Sequence, residues 1–241
     1  MEEKQTRINK YLAEAGICSR READKLIQAG LVKINETVAE SGSRVRAGDR
    51  VTLRGKPVTA TEEIHVLAYY KPIGVTCTEK DVHAKRVVTE EIRYPIRVTY
   101  AGRLDKDSEG LLLMTNDGSL IHELMRAANF HEKEYLVKVN KEITEEFLVK
   151  MAAGVYLKEL EVTTRACQVE KVGKYTFSII LTQGLNRQIR RMCQALGYEA
   201  VSLKRIRVAN IMLGKLKPGE YRRLNKEELE TLYKQIGRNR G

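Results

Sequence analysis

Asp105 is the residue of this 241-residue chain whose type and setting best suit chemistry on a substrate. It lies in a polar stretch, residues 101–110, which contains four further charged side chains and leads directly into the apolar run 111–114. The apolar run predicts a short, fully buried strand, and glycines at positions 102, 110 and 118 permit tight turns and close backbone approach. We therefore expect a rigid element to hold this loop and present Asp105 to a substrate.

A second concentration of charge follows a glycine turn, where residues 187, 190 and 191 are all arginine. The surrounding segment, residues 185–223, contains ten Lys and Arg against two Asp and Glu. Because the whole chain has a net charge of +11 and a pI near 9.4, most of the excess positive charge lies here. This concentration indicates a phosphate-rich partner, and a helix N-terminus beside arginines would strengthen anion binding. A basic helix on a solvated surface would show a similar pattern.

The composition argues for a folded protein and against several other classes. The chain is 42% hydrophobic, yet it has no run of about 18 apolar residues and no apolar signal-peptide core near its start, so we expect a cytoplasmic protein without membrane attachment. Its four cysteines and four histidines lack metal-ligand spacing. No dinucleotide fingerprint or P-loop is present. We therefore predict no metal and no cofactor, and a monomer by default.

Strands and helices do not alternate regularly along the chain, which favours the α+β class. In the first 60 residues, apolar spacing predicts two helices, the second capped by Ser19, and two strands. The polar residues 54–61 read as a connector. Beyond it, the predicted strands are 65–70, 74–77, 111–114, 135–139, 167–172 and 175–182, and the predicted helices are 143–151, 187–196 and 226–236.

The first segment resembles the S4 RNA-binding module on residues 7–12, 16–23 and 32–35. Residues 1–60 contain twelve Lys and Arg against eight Asp and Glu, so charge alone does not separate an RNA-binding face from a solvated one. The match to the S4 motif favours RNA binding over a solvated surface. The predicted phosphate contacts of this module are Arg7, Lys10, Arg20, Arg21, Lys25 and Lys33.

Five further motifs occur in the order and at the spacing of one enzyme family. They are Lys-Pro-Ile-Gly at 71–74, Gly-Arg-Leu-Asp at 102–105, Gly-Leu-Leu-Leu at 110–113, Lys-Glu-Tyr at 133–135 and Asn-Arg-Gln-Ile-Arg-Arg-Met at 186–192. On these motifs the chain resembles the RsuA/RluB/RluE/RluF class of pseudouridine synthases, and the RluF type most. The resemblance implies an S4 domain in residues 1–60, a linker to about 63, and a catalytic domain in 64–241 built on a mixed, mainly antiparallel sheet with flanking helices.

The resemblance also implies an activity: isomerisation of a uridine in 23S ribosomal RNA by base flipping, glycosidic cleavage and rejoining through C5. Asp105 would be the essential carboxylate, Arg190 the basic residue that pairs with it, and Tyr135 the pocket tyrosine that stacks on uracil. Asp107 and Glu109 receive no catalytic role. The other predicted RNA contacts are Arg103, which would enter the space left by the flipped base, Arg187, Gln188 and Arg191 beside the flanking backbone, and Lys71 in a structural or phosphate-positioning role.

Two alternatives remain open from the sequence. One is a non-catalytic ribosome assembly factor that binds RNA through its S4 module. The other is the same chemistry on 16S ribosomal RNA or on a transfer RNA stem-loop, because arginine positions do not specify the shape of an RNA.

Overall fold

A computed structural model of the chain describes residues 5–59, 63–78, 86–126 and 130–237. The described residues form two compact units. The first contains those up to His65 together with Tyr94–Val98 and Asn116–Gly118, and the second contains the rest. The predicted domain boundary near residue 60 falls outside the described ranges, so it stays a prediction.

The first unit packs two helices against short strands. A four-stranded sheet has the order β3-β2-β5-β6, and β1 pairs with β4. Ser19 caps the second helix as predicted, because its hydroxyl accepts a hydrogen bond from the Glu22 N–H at 3.2 Å. The elements are β1 (Thr6–Arg7), α1 (Ile8–Glu14), α2 (Arg20–Gln28), β2 (Val32–Ile34), β3 (Thr37–Val38), β4 (Arg44–Val45), β5 (Val51–Leu53) and β6 (Lys56–Val58).

The second unit is built on a nine-stranded sheet. Its strand order is β13-β14-β10-β15-β9-β7-β17, with β16 beside β15 and β8 beside β9. Only the β9–β15 pair is parallel, which confirms a mixed, mainly antiparallel sheet. The strands of this sheet are β7 (Val66–Lys71), β8 (Thr99–Ala101), β9 (Glu109–Thr115), β10 (Lys133–Val139), β13 (Gln168–Gly173), β14 (Thr176–Leu181), β15 (Ala200–Val208), β16 (Ile211–Met212) and β17 (Tyr221–Arg223).

Helices and a small strand pair complete this unit. Thr144 and Asn225 cap the helices that follow them, through hydrogen bonds from Phe147 N–H and Glu228 N–H. Apolar residues of α5, α6, β10, β14 and β15 form one buried core. The remaining elements are α3 (Val88–Glu91), α4 (Gly118–Met125), α5 (Glu145–Ala153), β11 (Tyr156–Leu157), β12 (Val162–Thr163), α6 (Gln188–Ala195) and α7 (Lys226–Gln235).

Several parts of the large sheet differ from the expectation, which did not include the short strands β8, β16 and β17. Residues 74–77 were predicted as a strand, but Thr76 makes only an isolated bridge with Val87, because Gly74 adopts a φ of +87° and turns the chain. The nine-residue strand β15 was not predicted, since its lysine and arginines obscure the alternation. Within the described ranges, no helix is long and apolar enough to cross a lipid bilayer.

Candidate active site

The loop that carries Asp105 connects β8 to β9. The Ser108 N–H donates to the Asp105 carbonyl at 3.1 Å and closes a turn, while the Gly74 N–H donates to the Lys106 carbonyl at 2.7 Å. Residues 111–114, which follow, have no exposed surface, as the sequence predicted. The backbone of the loop is therefore held by a buried strand, and 38% of the Asp105 side chain stays open to solvent.

Asp105 lines a cleft with a volume of about 440 Å³. Tyr135 on β10 and Arg190 on α6 line the same cleft, so the structure brings the three predicted catalytic residues together from three separate elements. The cleft lies in the size range of small-molecule sites. It therefore has room for a single nucleoside.

Charge in the cleft is distributed unevenly. Asp105 is the one acidic residue among its lining residues in the described part of the chain. Seven Lys and Arg side chains line it: Arg103, Lys106, Arg126, Lys133, Arg187, Arg190 and Arg205. A cleft of this kind attracts a polyanion and exposes it to a single carboxylate.

The arginines of α6 and its N-cap contact the Asp105 loop in a way that corrects one expectation. The resemblance implied an ion pair between Asp105 and Arg190. Instead, Arg190 contacts Asp107, with Nε 3.3 Å from Oδ2 and Nη2 donating to the Asp107 carbonyl at 2.8 Å. The arginine near Asp105 is Arg187, whose Nη1 lies 4.0 Å from Oδ2. Arg187 lies closer to Asp107, because its Nη2 donates to Oδ2 at 2.7 Å and its Nη1 donates to Oδ1 at 3.1 Å. The guanidinium of Arg187 is therefore paired with Asp107.

Asp107 therefore positions two arginines beside Asp105, an arrangement that sequence reasoning missed. The hydrogen bond from Arg187 lowers the pKa of the Asp107 carboxyl, and the same contact raises the pKa of Arg187. Both groups are therefore charged at neutral pH. One carboxylate holds two arginines beside Asp105 and leaves the Asp105 carboxylate itself only loosely paired.

Two cations of the cleft, one buried and one half-buried, were also missed as site residues. Arg205 on β15 is only 2% exposed; its Nε donates to the Leu111 carbonyl at 2.7 Å and its Nη1 to the Arg103 carbonyl at 3.4 Å. Lys133 lies on the adjacent strand β10, and burial, with the nearby Arg205 charge, lowers its pKa to about 8. The sequence contained one signal for Arg205. Residues two apart in a strand lie on the same face of the sheet, so Arg205 shares the buried face with Leu203.

Two predicted RNA contacts are corrected by burial. Lys71 has no exposed surface, and its ammonium donates to the carbonyls of Pro72 at 2.9 Å and Val75 at 2.8 Å. Gln188 is 4% exposed, and its Oε1 accepts from the Leu185 N–H at 3.1 Å at the start of α6. Both side chains satisfy local backbone groups, so neither is available to an RNA phosphate. For Lys71 the structural alternative is the one the geometry favours.

The other predicted RNA contacts fall into three groups. Arg103 is exposed and lines the cleft. Arg191 is engaged by the protein, because Nη1 lies 3.1 Å from Glu159 and Nε donates to the Asn186 carbonyl. The residues of the first unit stay predictions: Arg7, Lys10, Arg20, Arg21 and Lys25 are exposed and Lys33 is half-buried. Among the described residues, no three His, Cys, Asp or Glu side chains form a group able to hold a metal ion.

Comparisons with known proteins show which families the chain resembles. Residues 65–195 match the RNA pseudouridylate synthase family and residues 6–51 match the S4 domain. The dual-specificity RNA pseudouridine synthase RluF of Salmonella typhi is 46% identical over 96% of this chain and 80% of its own length. Ribosomal large subunit pseudouridine synthase B of Bacillus subtilis is 37% identical over 94% and 95%, respectively. A crystal structure of a pseudouridylate synthase superposes with a TM-score of 0.69 at 30% identity, covering 94% of this chain and 99% of the other.

The two matched segments include Asp105, Tyr135 and Arg190 of the cleft and most of the first unit. The chain therefore belongs to the RNA pseudouridylate synthase family and is an enzyme that isomerises uridine in RNA to pseudouridine.

Proposed function

We propose that this enzyme modifies a uridine of 23S ribosomal RNA, and that the uridine is flipped into the cleft against Asp105. The observation that carries the proposal is the placement of one carboxylate among seven cations in a cleft of about 440 Å³. Binding alone would not require a negative group aimed at a polyanion. A carboxylate there is useful when it attacks or deprotonates the nucleoside.

The ribosomal substrate is supported by the name of a relative. The Bacillus subtilis protein, 37% identical, is called a large-subunit ribosomal enzyme. The relative called dual-specificity suggests that a second RNA is also accepted. The S4 module adds exposed basic side chains that could hold a structured RNA while the cleft acts on one nucleotide.

Flipping a uridine costs a few kcal/mol in lost stacking and pairing. The side chains near the cleft can offset that cost. Tyr135 offers an aromatic face for the base, while the exposed Arg103 and Arg187 can contact the phosphates around the flipped nucleotide. In this proposal Asp105 then acts on the nucleoside so that the N1–C1′ bond breaks, the uracil turns, and C5 joins C1′.

The test is tritium release from transcripts that carry 5-tritiated uridine, because forming the C5–C1′ bond expels the C5 hydrogen. Asp105→Asn should abolish release and keep RNA affinity within about threefold, which is under 1 kcal/mol. The matched control is Glu109→Gln in the same loop, since glutamine can still accept the hydrogen bond that Tyr70 donates to Glu109 at 2.9 Å. This control should keep wild-type activity.

Separate assays on 23S, 16S and transfer RNA transcripts test the substrate. Release from 23S RNA, mapped to one uridine, is the expected result. Release confined to 16S or transfer RNA would contradict the ribosomal large-subunit assignment without affecting the cleft. Release by Asp105→Asn would contradict the role of the carboxylate.

A further inference from the structure

Arg205 is a buried cation of the cleft and Lys133 is a half-buried one, and no acidic side chain forms an ion pair with either among the residues the structure describes. Arg205 uses Nε and Nη1 on backbone carbonyls, but its buried Nη2 has no hydrogen-bond partner in those ranges. Lys133 makes one long hydrogen bond, 3.3 Å, to the His131 carbonyl. Because burying an unpaired charge is costly, this pair points to a negative group that arrives with the substrate.

The phosphates of the RNA are poorly suited to be that group. They are strongly hydrated, and the exposed or half-exposed Arg103 and Arg187 are available to them without desolvation. The base is the part of a flipped nucleotide that enters a pocket. Uracil is neutral when it enters, but it becomes negative during the reaction.

We propose that Lys133 and Arg205 bind the carbonyl oxygens of the uracil and stabilise the negative charge that the ring carries after its bond to the ribose breaks. The inference rests on the proposed placement of the uridine beside Asp105. When N1–C1′ breaks, its electron pair stays with uracil, and the charge spreads over N1, O2 and O4. After the ring turns, C5 bonds to C1′; the proton lost from C5 is balanced by one gained at N1. If Asp105 attacks C1′ of the ribose, the ester bond that forms breaks when C5 joins C1′; if Asp105 removes a proton from C2′, that proton returns in the same step. Both routes release the same uracil anion.

The other titratable groups of the cleft that the structure describes leave this role to the two cations. Burial lowers the pKa of His131 and raises that of Cys77, so both side chains are neutral at pH 7. Asp105, which lines the cleft, is the carboxylate reserved for the ribose or base. With a pKa of about 8, Lys133 is mostly protonated at pH 7 and loses its charge in mildly alkaline solution. A preorganised cation in a dry site is worth far more than one in water.

The experiment is a single-turnover tritium-release assay across pH 6 to 10, on mixed ribosomal and transfer RNA transcripts so that it does not depend on the 23S assignment. Lys133→Met should slow isomerisation about 100-fold, with RNA affinity within about threefold of wild type, because removing one donor to a developing oxyanion costs roughly 100- to 1,000-fold. Lys133→Arg should recover most of the rate. It should also move the alkaline fall of the rate from near pH 8 to higher pH, because arginine stays protonated.

Lys138→Met is the matched control, because Lys138 belongs to the same strand but is exposed and lies outside the cleft. It should leave the rate and its pH dependence unchanged. Thermal melting of every variant separates loss of fold from loss of chemistry. The proposal is overturned if Lys133→Met isomerises at the wild-type rate, if it loses RNA affinity as much as rate, or if Lys133→Arg leaves the alkaline limb in place. Activity retained by Asp105→Asn would instead contradict the proposed position of the uridine beside Asp105. That result would refute the proposed function and is distinct from a failure of the role of Lys133.

Discussion

Gly110 lies opposite Arg205 in the one parallel pair of the large sheet, and the two backbones approach so closely that no side chain fits between them. A Cβ at residue 110 would collide with the Arg205 carbonyl and amide. Gly110 also adopts a φ of +109°, which L side chains rarely take. This close approach joins the strand after the Asp105 loop to the strand that carries the buried Arg205.

Gly110→Ala should therefore destabilise the protein by about 3 kcal/mol or more, since it combines a disfavoured φ with a backbone collision. Urea unfolding followed by circular dichroism measures the loss. Gly118→Ala is the control, because a Cβ there would meet nothing within 4 Å and residue 118 begins a helix. The control should be neutral or slightly stabilising. An unchanged midpoint in Gly110→Ala would show that the two strands can separate at little cost.

Asp107→Asn should lower the single-turnover rate about tenfold, equivalent to about 1.4 kcal/mol of activation free energy. Asp107 holds both Arg187 and Arg190, and without its charge Arg187 can move the short distance onto Asp105 and neutralise it. Folding stability should change by less than about 1 kcal/mol, because Asp107 is 45% exposed. Glu146→Gln, which removes an exposed pair with Lys150, is the control and should change neither quantity. A wild-type rate in Asp107→Asn would refute the positioning role.

The sequence predicts the local motifs of this protein better than the contacts between them. The cap at Ser19 and the buried strand around residue 112 follow from spacing of a few residues, and the structure confirms them. Pairing among arginines and carboxylates depends on how α6 meets a loop about 80 residues earlier in the chain. Local patterns carry no information on such contacts. The pairing of Arg190 with Asp105 came from the family resemblance, and the structure pairs Arg190 with Asp107 instead.

Burial of polar residues was the other feature that local reasoning did not predict. Lysine is usually exposed, so a phosphate-positioning role for Lys71 stayed open beside the structural one. Its ammonium instead satisfies two carbonyls at the end of β7, where the chain turns. Arg205 was missed for the same reason, because a strand rich in basic residues is usually interpreted as lying at the surface.

Arg20→Gln combined with Arg21→Gln tests the S4 module. Both side chains are exposed at the start of α2, so folding stability should stay within about 0.5 kcal/mol of wild type. If both contact phosphates, affinity for ribosomal RNA should fall and the slope of log affinity against log salt should become shallower by about 1.4 to 1.8. Filter binding from 50 to 300 mM salt measures the slope. Lys56→Gln, an exposed residue of β6 in the same unit, is the control; an equal change in slope there would contradict a specific face on α2.

Glu228→Gln should remove a pH-dependent contribution to stability. The Arg222 guanidinium donates to both Glu228 oxygens at 2.7 Å and lowers the pKa of that carboxyl, which also caps α7 by accepting from the Asn225 N–H at 3.0 Å. Because the folded state lowers this pKa, the contribution is fully present above the unfolded pKa, near 4.3. It disappears as pH falls through the lower pKa of the folded state.

The wild type should consequently exceed Glu228→Gln in free energy of unfolding by about 1 kcal/mol at pH 7, a figure reduced from that of a buried pair because Arg222 is 36% exposed. The difference should narrow as pH falls below about 4 and disappear once the carboxyl is protonated in both states. Urea unfolding at pH 7, 5, 4 and 3 measures it. Glu230→Gln on the same helix removes only a 3.9 Å contact with an exposed lysine, so it should show almost no difference at any pH. A gap between wild type and Glu228→Gln that stayed constant with pH would mean that the glutamate stabilises α7 by packing or capping and not through its charge.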